Sequence, residues 1–126
     1  MRGGMNAVFL FILCLLLVGC TSASQPVSTT GETKEFDMVV KQYAFEPALI
    51  TVNKGDTVKI HLTSSDVEHG ISIPAFRASA IIPAGKTTDM TFVADKAGIF
   101  EYRCSVPCGT GHRDMLGAIE VTEATQ

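Results

Sequence analysis

From residue 36 onward the chain alternates with a period of two. Phe36, Met38 and Val40 fall on one face, and Asp37, Val39 and Lys41 on the other. This is the pattern of a half-buried strand. Tyr43, Phe45 and Pro47 follow, then the apolar run Leu49-Ile50-Thr51-Val52, closed by the turn signal Asn53-Lys54-Gly55-Asp56. Thr57 to Thr63 alternates again, with Val58, Ile60 and Leu62 on one face. His61 shares the opposite face with Lys59 and Thr63, which makes it a solvent-facing or hydrogen-bonded histidine. Ile71-Ser72-Ile73, Thr87–Val93 (Met90 and Phe92 on one face), Ile99–Arg103 and Leu116–Val121 read as further strands. Pro74–Ala80 reads as a loop, and Pro83-Ala84-Gly85 and Asp95-Lys96-Ala97-Gly98 as turns. No amphipathic helix is visible after residue 34. Strand-length runs punctuated by turn signals over one domain's length predict an all-β fold, a small antiparallel β-sandwich across residues 35–126.

The N-terminal residues break this pattern. Ala7–Val18 is an uncharged apolar run behind a single basic residue, Arg2. It falls short of the roughly 20 residues that span a bilayer as a helix, so residues 1–19 read as an export signal. The run ends Leu17-Val18-Gly19-Cys20, which is similar to the bacterial lipoprotein box, where cleavage precedes a cysteine that then receives lipid. On that reading Cys20 is the lipidation site, and the domain is exported and held at a bacterial membrane by acyl chains, in the periplasm or outside the cell. Cleavage near Ala23 and an uncleaved anchor are the alternatives. Residues 20–34, rich in Ser, Thr, Gln and Gly, have almost nothing to bury and read as a flexible linker.

The chemistry is concentrated in Cys104-Ser-Val-Pro-Cys108-Gly-Thr-Gly-His112-Arg-Asp-Met115. Two thiols, an imidazole and a thioether at this spacing suit copper in an electron-transfer site. Pro107, Gly109 and Gly111 make the segment a tight loop. Zinc is the rival metal, although structural zinc sites favour closed Cys-x2-Cys tetrahedra and rarely use Met. Two readings compete with a binuclear site. Cys104 and Cys108 would pair as a disulfide in an oxidising compartment. A mononuclear copper site on His69, Cys108, His112 and Met115 would leave Cys104 idle.

This loop, with the upstream Ser65-Asp66-Val67-Glu68-His69-Gly70, resembles the CuA-bearing periplasmic domain of cytochrome c oxidase subunit II, a loop also found in nitrous oxide reductase. The resemblance covers residues 36 to 122. It implies a cupredoxin Greek key with the metal at one end of the sandwich. It also implies two copper ions bridged by Cys104 and Cys108, with His69, His112, Met115 and the carbonyl of Val106 completing the coordination. Asp66 would then either orient the site or serve as a plain turn residue, and Gly70 would let His69 approach the loop unobstructed. The implied partners are a cytochrome c-like electron donor and an oxidase core subunit as acceptor. Two departures stand out. Val106 occupies the position where that family usually has a metal-binding Glu, leaving only its carbonyl to use. The chain also has no Trp, whereas many oxidase subunits take in electrons through an aromatic cluster containing one.

Charge adds little. The chain carries a formal −3 over 126 residues, and loss of residues 1–19 removes one basic residue and no acid. With no basic stripe, no nucleic-acid partner is expected. No Ser–His–Asp arrangement, phosphate loop or carboxylate pair is visible. The reading is an electron carrier without catalysis of its own. A periplasmic copper store or chaperone without redox turnover is the alternative, and a zinc- or disulfide-stabilised binding module the third.

Overall fold

The computed structural model describes residues 31–124. The export signal, Cys20 and the linker as far as residue 30 lie outside the described residues. Among the described residues nine strands form two sheets: β1 (Thr33–Lys41), β2 (Ala44–Glu46), β3 (Leu49–Asn53), β4 (Thr57–Ser64), β5 (His69–Ile73), β6 (Ala78–Ile82), β7 (Thr87–Val93), β8 (Gly98–Arg103) and β9 (Leu116–Thr122). One sheet has the order β2-β1-β4-β7 and the other β3-β9-β8-β5-β6. The first strand begins two residues before the expected domain start. The only helical pieces among the described residues are two three-residue 3-10 turns, Pro74–Phe76 and His112–Asp114.

The expected alternation sets the faces. Met38, Val40, Val58, Ile60, Leu62, Met90 and Phe92 of the first sheet are buried against Ile50, Val52, Ile71, Ile73, Ile82, Ile119 and Val121 of the second. Each such side chain contributes about 1.5–3 kcal/mol when fully removed from water. Phe45 meets Tyr102 edge-to-face, with ring centroids 5.0 Å apart. The Tyr102 hydroxyl donates to the Ala48 carbonyl at 3.0 Å, tying β8 to the segment between β2 and β3.

Two expectations are corrected. The sandwich is not purely antiparallel, because β1 runs parallel to β4 and β3 parallel to β9. After the β1–β2 hairpin the chain places β3 in the opposite sheet, so β4 returns beside β1 in the same direction. Side-chain periodicity reports faces and is silent about strand direction. Pro74–Ala80 is not a loop throughout. It is a 3-10 turn, a left-handed residue at Arg77 (φ 52°), and the beginning of β6, which pairs antiparallel with β5. Only Ala78 and Ile82 of β6 are buried, and a small residue at one of two inward positions hides the strand's period.

Candidate metal centre

The end of β4, the start of β5, the end of β8 and the start of β9 meet at one end of the sandwich. The β8–β9 loop, residues 104–115, is held at both ends. The Cys104 amide donates to the Met115 carbonyl at 3.1 Å, and the Ser105 amide to the Gly70 carbonyl at 3.3 Å. Gly70 is required by this packing. A Cβ there would collide with the Ser105 hydroxyl and lie 2.9 Å from Cγ2 of Val106. Gly70 thus serves the approach of the loop to β5 as much as the reach of His69, and the Val106 side chain is not idle, since it lies against that glycine.

The described residues predicted from sequence come together. The Cys104 and Cys108 sulfurs are free and 3.8 Å apart. His69 Nδ1 lies 3.9 Å from Cys104 Sγ, and the Val106 carbonyl oxygen 3.2 Å from the same sulfur. On the other side, His112 Nδ1 lies 3.7 Å and Met115 Sδ 3.9 Å from Cys108 Sγ. The tightest group is His69, Cys104 and Cys108, whose donor atoms all lie within 4.8 Å of one another. These three and Met115 are buried, whereas His112 is partly exposed.

Burial disfavours a resting thiolate at this site. Burial first, and hydrogen bonding to Cys104 second, push the Cys108 thiol up to about 11. A thiol so desolvated gives up its proton when a cation replaces it. Asp66 lies on the far side of His69, with Oδ1 2.7 Å from Nε2. Partial burial works against the Asp66 charge. Hydrogen bonds from the Gln42 amide, from His69 and from the Val67 amide outweigh it, and the carboxyl is held below its usual range. A carboxylate cannot donate, so Nε2–H of His69 donates to Asp66 Oδ1, which leaves the Nδ1 lone pair facing Cys104 Sγ. That is the outer-shell arrangement that orients a ligating imidazole. Asp66 is therefore more than a turn residue.

Two residues escaped the sequence reading. Gln42 reaches across from the β1–β2 turn: its Nε2 donates to the Cys108 carbonyl at 2.5 Å, and its amide donates to Asp66 Oδ2 at 2.7 Å. One residue thus ties the loop cysteine to the aspartate that orients His69. Tyr43 lies beside it, and a Cβ at Gly111 would fall 2.5 Å from its ring. The tyrosine ring fills the space that the glycine leaves. A polar residue next to an aromatic, 66 positions from Cys108, carries no local signal of such a role.

Comparison with known proteins agrees with the fold. Residues 9–113 match the cupredoxin-like domain family. The chain is 28% identical over 102 residues to cytochrome c oxidase subunit 2 of Thermus thermophilus, a match covering 79% of this chain and 75% of that one. It is 36% identical over 85 residues to the nitrous-oxide reductase of Stutzerimonas stutzeri, covering 64% of this chain but only 13% of that enzyme. The periplasmic domain of subunit II of the Bradyrhizobium japonicum cytochrome oxidase superposes with a TM-score of 0.61 at 25% identity, covering 71% of this chain and 83% of that one.

Proposed function

Because the chain belongs to the cupredoxin-like family and is homologous to the periplasmic domain of oxidase subunit II, we propose that it carries electrons on a CuA-type pair of copper ions. The carrying observation is the donor count. Two thiols lie at the centre, with His69 Nδ1 and the Val106 carbonyl beside Cys104, and His112 Nδ1 and Met115 Sδ beside Cys108. If both thiolates bridge, each of two ions receives four donors and none is left over. One ion of ordinary four-coordination would leave two donors without a role. Soft sulfur with imidazole is the donor set of copper.

Bound copper would supply reversible one-electron storage. The protein's own part is positional. Cys104, Cys108, Met115 and His69 are buried, which would limit the access of water to bound copper. Asp66 and Gln42 fix the orientation of His69 and the Cys108 backbone. Strands β8 and β9 hold both ends of the loop, which opposes the rearrangement that copper's two oxidation states otherwise favour.

The homology to oxidase subunit II supports a cytochrome c-like donor and an oxidase core subunit as acceptor, in an exported location. Val106 removes the carboxylate usual in that family, so the contact with such a core would lack that metal link. Among the described residues no helix is long and apolar enough to cross a membrane. We place the membrane tether at Cys20. Cys20→Ser should release the exported protein into the soluble fraction, its mature chain lacking added lipid mass. An intact Met1 in the wild-type protein would overturn the tether.

Metal content and electron count test the assignment. Two coppers per chain that together accept one electron are expected. One copper per chain would support the mononuclear or storage reading, and zinc without copper a structural site.

A further inference from the structure

The surface beside the sulfurs is chemically uneven. A cleft of about 280 Å³ opens there, lined by Arg103, Cys104, His112 and Arg113. Two of these are donors in the proposed copper centre and two are arginines. The Arg103 side chain is 62% exposed and shares its guanidinium with Glu101, Nη2 to Oε1 at 2.5 Å, which leaves further N–H donors free. Arg113 is exposed and has no ion-pair partner among the described residues. The chain as a whole carries −3, so a cationic cleft at this spot runs against its general charge.

A guanidinium presents its donors in a planar fork that matches carboxylates, and pairs of such forks give orientation as well as attraction. Buried Cys104 and partly exposed His112, two donors of the proposed copper centre, line it beside the arginines. We propose that this cleft is the docking site for a redox partner that presents clustered carboxylates, and that Arg103 and Arg113 select it by charge. The proposal rests on the copper electron-transfer reading for what the partner does, while the binding itself depends only on the arginines.

Both halves are testable with simple anions. Hexacyanocobaltate(III), a redox-inert trianion, should shift the amide resonances of Arg103, His112 and Arg113 in the full chain, with and without copper. Arg103→Gln combined with Arg113→Gln should weaken that binding about tenfold and leave copper content unchanged. In the electron-transfer arm, one electron passes from the iron(II) of hexacyanoferrate(II) to the oxidised copper pair. Iron(III) is left behind, and no bond is made and no proton moved. The double variant should slow this reaction about tenfold and not slow reduction by hexaammineruthenium(II), a cation. Shifts centred on other basic residues, unchanged anion affinity in the variant, or an equal slowing of both reagents would overturn the proposal. So would a dimer of the wild-type chain that the variant abolishes, since a second copy would then be the occupant. A protein that takes up no copper but still binds the cobalt complex at the arginines would defeat the copper reading and leave the anion site standing.

Discussion

His69 shows how one side chain acquires a role from what lies on both sides of it. Its Nε2–H donates to Asp66, and its Nδ1 faces Cys104. The spacing of Cys104, Cys108, His112 and Met115 was legible in the sequence because loop ligands are close along the chain. His69 was legible only through resemblance, and Gln42 not at all, because long-range hydrogen bonds leave no periodic trace. Gln42→Ala removes the side-chain donor to the Cys108 carbonyl but keeps the backbone donor to Asp66. Loss of one outer-shell partner is expected to weaken copper binding about tenfold. Competition against a copper chelator measures this, and an unchanged affinity would show that Gln42 does not position the loop.

At the scale of elements, the site is a loop clamped between two turns. The strands were legible wherever inward residues are large, as in Val58, Ile60 and Leu62 of β4. Strand β6 was not, since one of its two buried residues is alanine. Close packing of the clamp is equally invisible in sequence, because a glycine kept for space looks like one kept for a turn. Gly111→Ala forces the loop away from the Tyr43 ring, 2.5 Å from the new Cβ, and overpacking of this kind costs about 1–3 kcal/mol. Pairing it with Tyr43→Ala, which empties the space, should recover most of that loss. Denaturant unfolding of the two single variants and the double decides the matter, and strictly additive losses would mean the ring and the glycine do not oppose each other. Tyr102→Phe tests the other tie. It removes the hydroxyl donated to the Ala48 carbonyl, 3.0 Å away, and should lower stability by about 1 kcal/mol. No loss on unfolding would mean that bond carries no net stability.

Across the whole molecule, the metal end and the outer face of the four-stranded sheet are separate electrostatic regions. His61, read from its period as outward-facing, pairs with Asp89 at 2.7 Å and lies 3.6 Å from Glu35. The hydrogen bond to Asp89, working against partial desolvation, raises the pKa of His61. A raised folded-state value means that the protonated form stabilises the fold. That contribution is complete below the ordinary histidine value of about 6.5 and disappears as pH rises through the raised one. His61→Gln should therefore lower the melting temperature more at about pH 5.5 than at about pH 8.5. A gap that widens with pH would reverse the sign. Copper binding at the far site should be the same in both proteins.

Strand direction was the whole-molecule feature that sequence concealed, because both parallel pairs depend on β3 crossing to the opposite sheet. The loop between β8 and β9 is held against β5, and this brings both thiols beside His69. Whether they hold two coppers as one unit is answered most directly by the electron paramagnetic resonance spectrum of the oxidised, copper-loaded protein. One unpaired electron coupled equally to two copper nuclei is expected, and Cys104→Ser should abolish it. Hyperfine coupling to a single copper nucleus in the wild-type protein would contradict the binuclear centre.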